Sequence, residues 1–126
     1  MSPRPLLIAG FLAASASPAL ATGTISCVSD AGASLELTIG TLPVMAVISA
    51  RAEAGGESWS TADGQIVAGQ AFADDNEVRV DFTDPDLIDI LIRLRLFRAS
   101  EGRDFATAGT LQIVGTGAYA VVCTGP

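Results

Sequence analysis

Three features of this 126-residue sequence predict an all-β domain. Apolar residues recur at every second position in several short runs. Glycine-bearing turn signals punctuate those runs. Two cysteines, Cys27 and Cys123, sit near the two ends of the same stretch. The expected architecture is a small antiparallel sandwich or barrel of about seven or eight short strands. One short helical turn is allowed near residues 85–90.

Residues 1–21 stand apart from the fold. Arg4 supplies a positive n-region, and Leu6 to Ala16 form an apolar h-region. Pro18 breaks it, and Ala19-Leu20-Ala21 has the small-x-small form of a cleavage site. The stretch reads as a secretory signal peptide. It is well short of the roughly 20 apolar residues that span a bilayer. Residues 22–126 then form one domain, without stable membrane insertion after cleavage.

Thr22 to Ser29 alternates weakly, with Ile25 and Cys27 on one face. Asp30-Ala31-Gly32 is a turn, and Leu35, Leu37 and Ile39 define the next strand. Gly40 and Pro43 interrupt the pattern. Val44 to Ala54 fits both periods: the β-branched start favours a strand and the alanine-rich end a helix. A strand is expected there because its neighbours are strands. Gly55-Gly56 ends it. Glu57 to Thr61 holds Trp59, and Asp63-Gly64 is a turn. Gln65 to Ala73 is a strand anchored by Ile66 and Phe72, with Gly69 marking a bulge.

The clearest periodicity runs from Glu77 to Arg98. Val78, Val80 and Phe82 alternate with Arg79 and Asp81. Ile90, Ile92, Leu94 and Leu96 alternate with Leu91, Arg93, Arg95 and Phe97. Both runs read as half-buried strands. Asp84-Pro85-Asp86 between them carries a helix-start signal, hence the allowance for a turn of helix. Ala99 to Ala108 reads as a long irregular connection, pinned by Phe105. Gly115-Thr116-Gly117 then reads as a hairpin loop. Centred on Thr116, it pairs Ile113 with Tyr119 and Leu111 with Val121, on one face with Cys123.

An even cysteine pair in an exported chain predicts a Cys27–Cys123 disulfide. The terminal strands are then neighbours. The outline of an export signal and a terminal cysteine pair on a β domain is shared by small secreted hydrolase inhibitors. No residue is carried over from them.

Charge and composition narrow the function. The chain has no His, and all seven of its cations are Arg, against 14 acids, for a net charge of −7. Phosphate backbones repel such a surface, so nucleic acid is not an expected partner. Catalysis is not expected: no His or Lys is present to move protons, and the thiols are oxidised. Transition-metal sites lack their usual ligands, and no cofactor is expected. The carboxylates Asp84, Asp86 and Asp89, and Asp74, Asp75 and Glu77, form acidic turns without the spacing of a calcium loop. Two features remain as candidate binding surfaces. Arg79, Arg93 and Arg95 share the outward face with Asp81, as a structural ladder or as a stripe that grips an anion. Trp59 is a core or rim aromatic, or a contact on a protein or sugar.

The expectation is a small exported, non-catalytic binding or interaction module, periplasmic or secreted, with an unknown protein or small ligand as partner. The alternatives are a secreted hydrolase inhibitor, or a structural envelope component that self-associates through strand edges.

Overall fold

A computed structural model describes residues 22–40 and 44–126. The signal-peptide reading of residues 1–21 and the interruption at Pro43 lie outside them. Nine strands follow in chain order: β1 Thr22–Val28, β2 Ser34–Gly40, β3 Ala46–Ala54, β4 Glu57–Ser60, β5 Val67–Ala73, β6 Glu77–Thr83, β7 Ile90–Glu101, β8 Asp104–Ile113 and β9 Gly117–Thr124. They form one antiparallel sheet in the order β4-β3-β2-β1-β9-β8-β7-β6-β5. Each strand pairs with its chain neighbour, with one break between β4 and β5. These consecutive strands lie at opposite edges of the sheet, and β1 pairs with β9 instead. The sheet curls into a half-barrel, and β3 and β5 approach with some Cα–Cα separations of 8 Å or less.

Alternation explains the curl. The concave side collects Ile25, Leu35, Leu37, Ile39, Val78, Val80, Phe82, Ile92, Leu94, Leu96, Leu111 and Ile113, all 2 % exposed or less. Each such side chain contributes about 1.5–3 kcal/mol by leaving water. A flat sheet would bury only one layer of them, so curling brings the rows face to face. Alanines 50, 52 and 54 on β3 line the same interior and leave room for Phe82 and the leucines. Ile66, 1 % exposed, enters from the Thr61–Ile66 link that joins the two edges.

Turn chemistry sets the registers. Gly55 and Gly56 have φ of 59° and 78°, and they alone separate Ala54 from its partner Glu57. Positive φ at both central positions suits the twist of a two-residue hairpin. The bulge expected at Gly69 is present, as a register shift between Ala68 and Ala71. The Val44–Ala54 ambiguity resolves as a strand, β3.

Three expectations are corrected. No helical turn forms over residues 85–90. The Leu87 N–H donates to the Asp84 carbonyl, and the Ile88 N–H to the Asp84 carboxylate, at 3.0 and 2.8 Å. Leu87 then turns left-handed, with φ of 60°, which stops a helix from propagating. Ala99–Ala108 is not a loose connection: β7 runs to Glu101, a two-residue turn at Gly102-Arg103 follows, and β8 begins at Asp104. Phe105 pins nothing, being 82 % exposed. The last hairpin centres on Gly115, so Leu111 pairs with Tyr119 and Ile113 with Gly117. Gly115 carries the positive φ there, and Gly117 serves the strand as a bed for the Tyr119 ring. A slip of two residues leaves every side chain on its expected face. The nine strands among the described residues, a short β4 edge included, agree with the expected small antiparallel β architecture.

The terminal strands meet as expected. Cys27 lies directly opposite Cys123, with Cα atoms 4.0 Å apart, and the two form a disulfide. Disulfides persist in oxidising, extracytoplasmic compartments, and this one is compatible with such a location. No helix among the described residues is long and apolar enough to cross a membrane.

Candidate functional site

The outward arginines are neighbours, as the alternation of β6 and β7 requires. Arg79 pairs in register with Arg95, and Asp81 with Arg93. The bond of Asp81 runs diagonally, to Arg95. Arg95 grips Asp81 with both terminal nitrogens, at 2.8 and 3.3 Å. The Asp81 side chain keeps only 9 % of its exposure, and that of Arg95 37 %. Arg79 holds Glu77 at 3.1 Å and lies over the Phe72 ring, 4.9 Å from its centroid. This places Phe72, one of the two expected anchors of β5, on the outer wall rather than inside. Arg93 donates to Gln112 on β8 at 3.2 Å. Two of the three arginines therefore carry a carboxylate partner, which leaves Arg93 the most available to an anion.

Trp59 lies elsewhere, on β4 opposite Ala52, half-buried and packed against the core. The structure does not bring it together with the arginines. The acidic turns act as caps. Asp74 accepts from the N–H groups of Asn76 and Glu77, both at 2.8 Å. These two bonds hold its carboxyl below its usual value, and the charges of Arg79 and Arg98 add to the effect. Asp84 does the same service for Ile88 and Asp89. No group of three or more potential metal ligands occurs among the described residues.

A different place on the molecule has the form of a site. Beyond Leu96 the β7–β8 hairpin outruns the barrel, so its concave side faces a groove instead of the core. Arg98, Ser100, Phe105 and Thr107 line it, and Gly125-Pro126 forms the opposite wall. Its volume is about 610 Å³, within the usual range for small-ligand sites. A second groove of about 590 Å³, lined by Val44, Met45 and Ala71, shares Asp75 and Arg98 with it. Arg98 thus stands between the two. Its guanidinium donates to the main-chain oxygens of Pro126 and Asp74, at 2.8 and 3.4 Å. These two main-chain oxygens fix its position, beside the carboxylates of Asp74 and Asp75.

Neither Arg98 nor Phe105 was singled out by the sequence pattern as a site residue. A signal was present: Arg98 falls in the inward phase of Ile92, Leu94 and Leu96, and Phe105 in that of Leu111 and Ile113. A charge in the apolar phase marks where a strand leaves the core. Comparison with family models, with curated proteins and with solved structures found no match to this chain.

Proposed function

We propose that the chain is a small exported binding module, periplasmic or secreted, that acts without catalysis. The barrel-end groove carries this reading. It combines an exposed aromatic, Phe105, with a cation fixed in place by main-chain oxygens, Arg98. Such a pair suits a ligand or protein segment with an apolar body and a carboxylate or carbonyl group. The chemistry of the groove favours binding over turnover. Its charged groups are one guanidinium and neighbouring aspartates, and the chain has no His to shuttle protons near neutral pH.

The test is a thermal-shift screen of small aromatic and aliphatic carboxylates, followed by calorimetric titration of the best. Phe105→Ala and Arg98→Ala are each expected to weaken a hit at least tenfold. A hit insensitive to both substitutions would move the site elsewhere.

One observation favours a second reading, a secreted hydrolase inhibitor. Leu87 and Ile88 are 64 % and 76 % exposed at the tip of a turn locked by Asp84. Two bare aliphatic side chains on a preorganised loop are the form of a cleft plug. Recovery of a hydrolase on the immobilised protein, lost on Leu87→Ser/Ile88→Ser, would select this reading.

A further inference from the structure

The charge of this acidic chain is unevenly spread over the outer wall. Outward positions on β6 and β7 include Glu77, Arg79, Asp81, Arg93 and Arg95, and those on β2 and β3 include Glu36, Arg51 and Glu53. Between them lie β8, β9 and β1. From Ala106 to Gln112 on β8, from Ala118 to Thr124 on β9, and throughout β1, no outward residue is charged. A single lateral row crosses this wall: Phe97 opposite Ala108, Ala108 opposite Val122, Val122 opposite Val28. Phe97 is 71 % exposed, Val122 63 % and Val28 59 %. Isolated exposed apolar residues are ordinary, but a contiguous row of them marks an interaction surface.

We propose that this wall binds a second copy of the chain across a two-fold axis passing over β9, between Ala120 and Val122. The proposal is independent of the barrel-end groove. Two observations select a second copy as the occupant.

The first is charge complementarity. Salt bridges hold Glu77 to Arg79, Asp81 to Arg95 and Glu53 to Arg51. Arg93 on β7 and Glu36 on β2 lie outside those pairs. They stand on opposite sides of β9, each two strands away in the sheet order. A two-fold axis over β9 exchanges the two borders. Arg93 lies in the row of Ala118 and Glu36 in the row of Thr124, so an axis running diagonally across β9 brings each Arg93 to the Glu36 of the other copy, and the contact is made twice. An acidic chain meeting itself through any more charged face would set like charges together.

The second observation is shape and area. The wall is convex, but its crest, Ala118, Ala120, Val122 and Thr124, is made of small side chains. Two crests can approach closely, while the longer Arg93 and Glu36 side chains reach across the widening gap on either side. Four strands at about 4.8 Å spacing and about eight residues at about 3.3 Å rise give a footprint of roughly 500 Å² per copy. Two such footprints would just reach the lower bound of about 1,000 Å² for a specific interface, and two convex walls bury less than their full footprints, so the dimer is expected to be weak.

Sedimentation equilibrium on the exported, disulfide-bonded protein tests this, over micromolar to millimolar concentration. The expected result is a reversible monomer–dimer equilibrium. Val122→Glu, at an exposed position, places two carboxylates together near the axis and should abolish the dimer. Arg93→Glu alone should weaken association at least tenfold, and Arg93→Glu with Glu36→Arg should restore it. Ile88→Glu, equally exposed but on the β6–β7 turn, should change nothing. A protein that stays monomeric to millimolar concentration overturns the proposal, as does a dimer that survives Val122→Glu. Circular dichroism of each variant separates loss of association from loss of fold.

Discussion

At the level of single residues, burial decides which ion pairs matter. Arg51–Glu53 is made at 2.9 Å between side chains 63 % and 52 % exposed, and water screens such a pair to well under about 1 kcal/mol. Arg95–Asp81 is bidentate, and its carboxylate is almost wholly covered. Asp81→Ala strands the guanidinium and should cost about 2–3 kcal/mol in urea unfolding, while Glu53→Ala stays within about 0.5 kcal/mol. The sequence shows that Asp81 and the arginines share a face. Which arginine wins is not legible there, because Asp81 sits opposite Arg93 in register and bonds to Arg95 on the diagonal. Asp74 gives a pH effect of definite sign. Its carboxyl lies below its ordinary value of 3.8 because Asn76 and Glu77 donate to it. A depressed folded-state value adds stability above the unfolded value, and that stability is lost as pH falls through the folded one. Chemical denaturation from pH 6 to pH 2 should therefore show a shallower acid loss in Asp74→Asn than in the parent.

At the level of elements, alternation was a good guide wherever one face is buried and a poor one where neither is. The inward phase of β2, β6 and β7 is visible in Leu35-Leu37-Ile39, Val78-Val80-Phe82 and Ile92-Leu94-Leu96, and the structure buries those residues. From Ala99 to Ala108 both faces of the hairpin meet solvent. The sequence therefore has no apolar beat there, and a long regular hairpin looks irregular. Phe105→Ser should leave stability within about 0.5 kcal/mol, whereas Phe82→Ala in the core should cost about 3–5 kcal/mol. Gly109 marks a close approach the sequence does not announce. A methyl group there would collide with the Arg95 carbonyl and the Leu96 Cα of the adjacent strand. Backbone cannot yield as a side-chain tip can. Gly109→Ala should cost about 2–3 kcal/mol by thermal unfolding, although alanine is otherwise a mild change in a strand. The turn at Asp84-Pro85-Asp86 was misleading for a local reason: a residue that caps a helix equally caps a tight turn. Leu87 chose between them by going left-handed.

At the level of the whole molecule, the chain closes on itself by pairing its first and last strands. Fold class, the neighbouring termini and the cysteine pairing were legible because three independent patterns agreed. The curl was not, since it arises from how far the rows of β2, β6 and β7 reach across the interior. Nor was the protection of the two free edges: β4 has four residues, and β5 carries a bulge. Both devices discourage further strand pairing. They turn any self-association away from the edges and toward the uncharged outer wall. The grooves, too, appear only once the hairpin is seen to outrun the barrel.

The account rests on a sheet made continuous through the contact of β1 with β9, where Cys27 and Cys123 are bonded across 96 residues. A loop of that length is worth about 4–5 kcal/mol on the chain-entropy estimate. The most direct test is the melting temperature of the purified protein with and without a strong reductant. Reduction is expected to lower it by about 20 °C or more, with thiol titration showing two new free thiols. An unchanged melting temperature after complete reduction, or two free thiols before any reductant is added, would contradict the account.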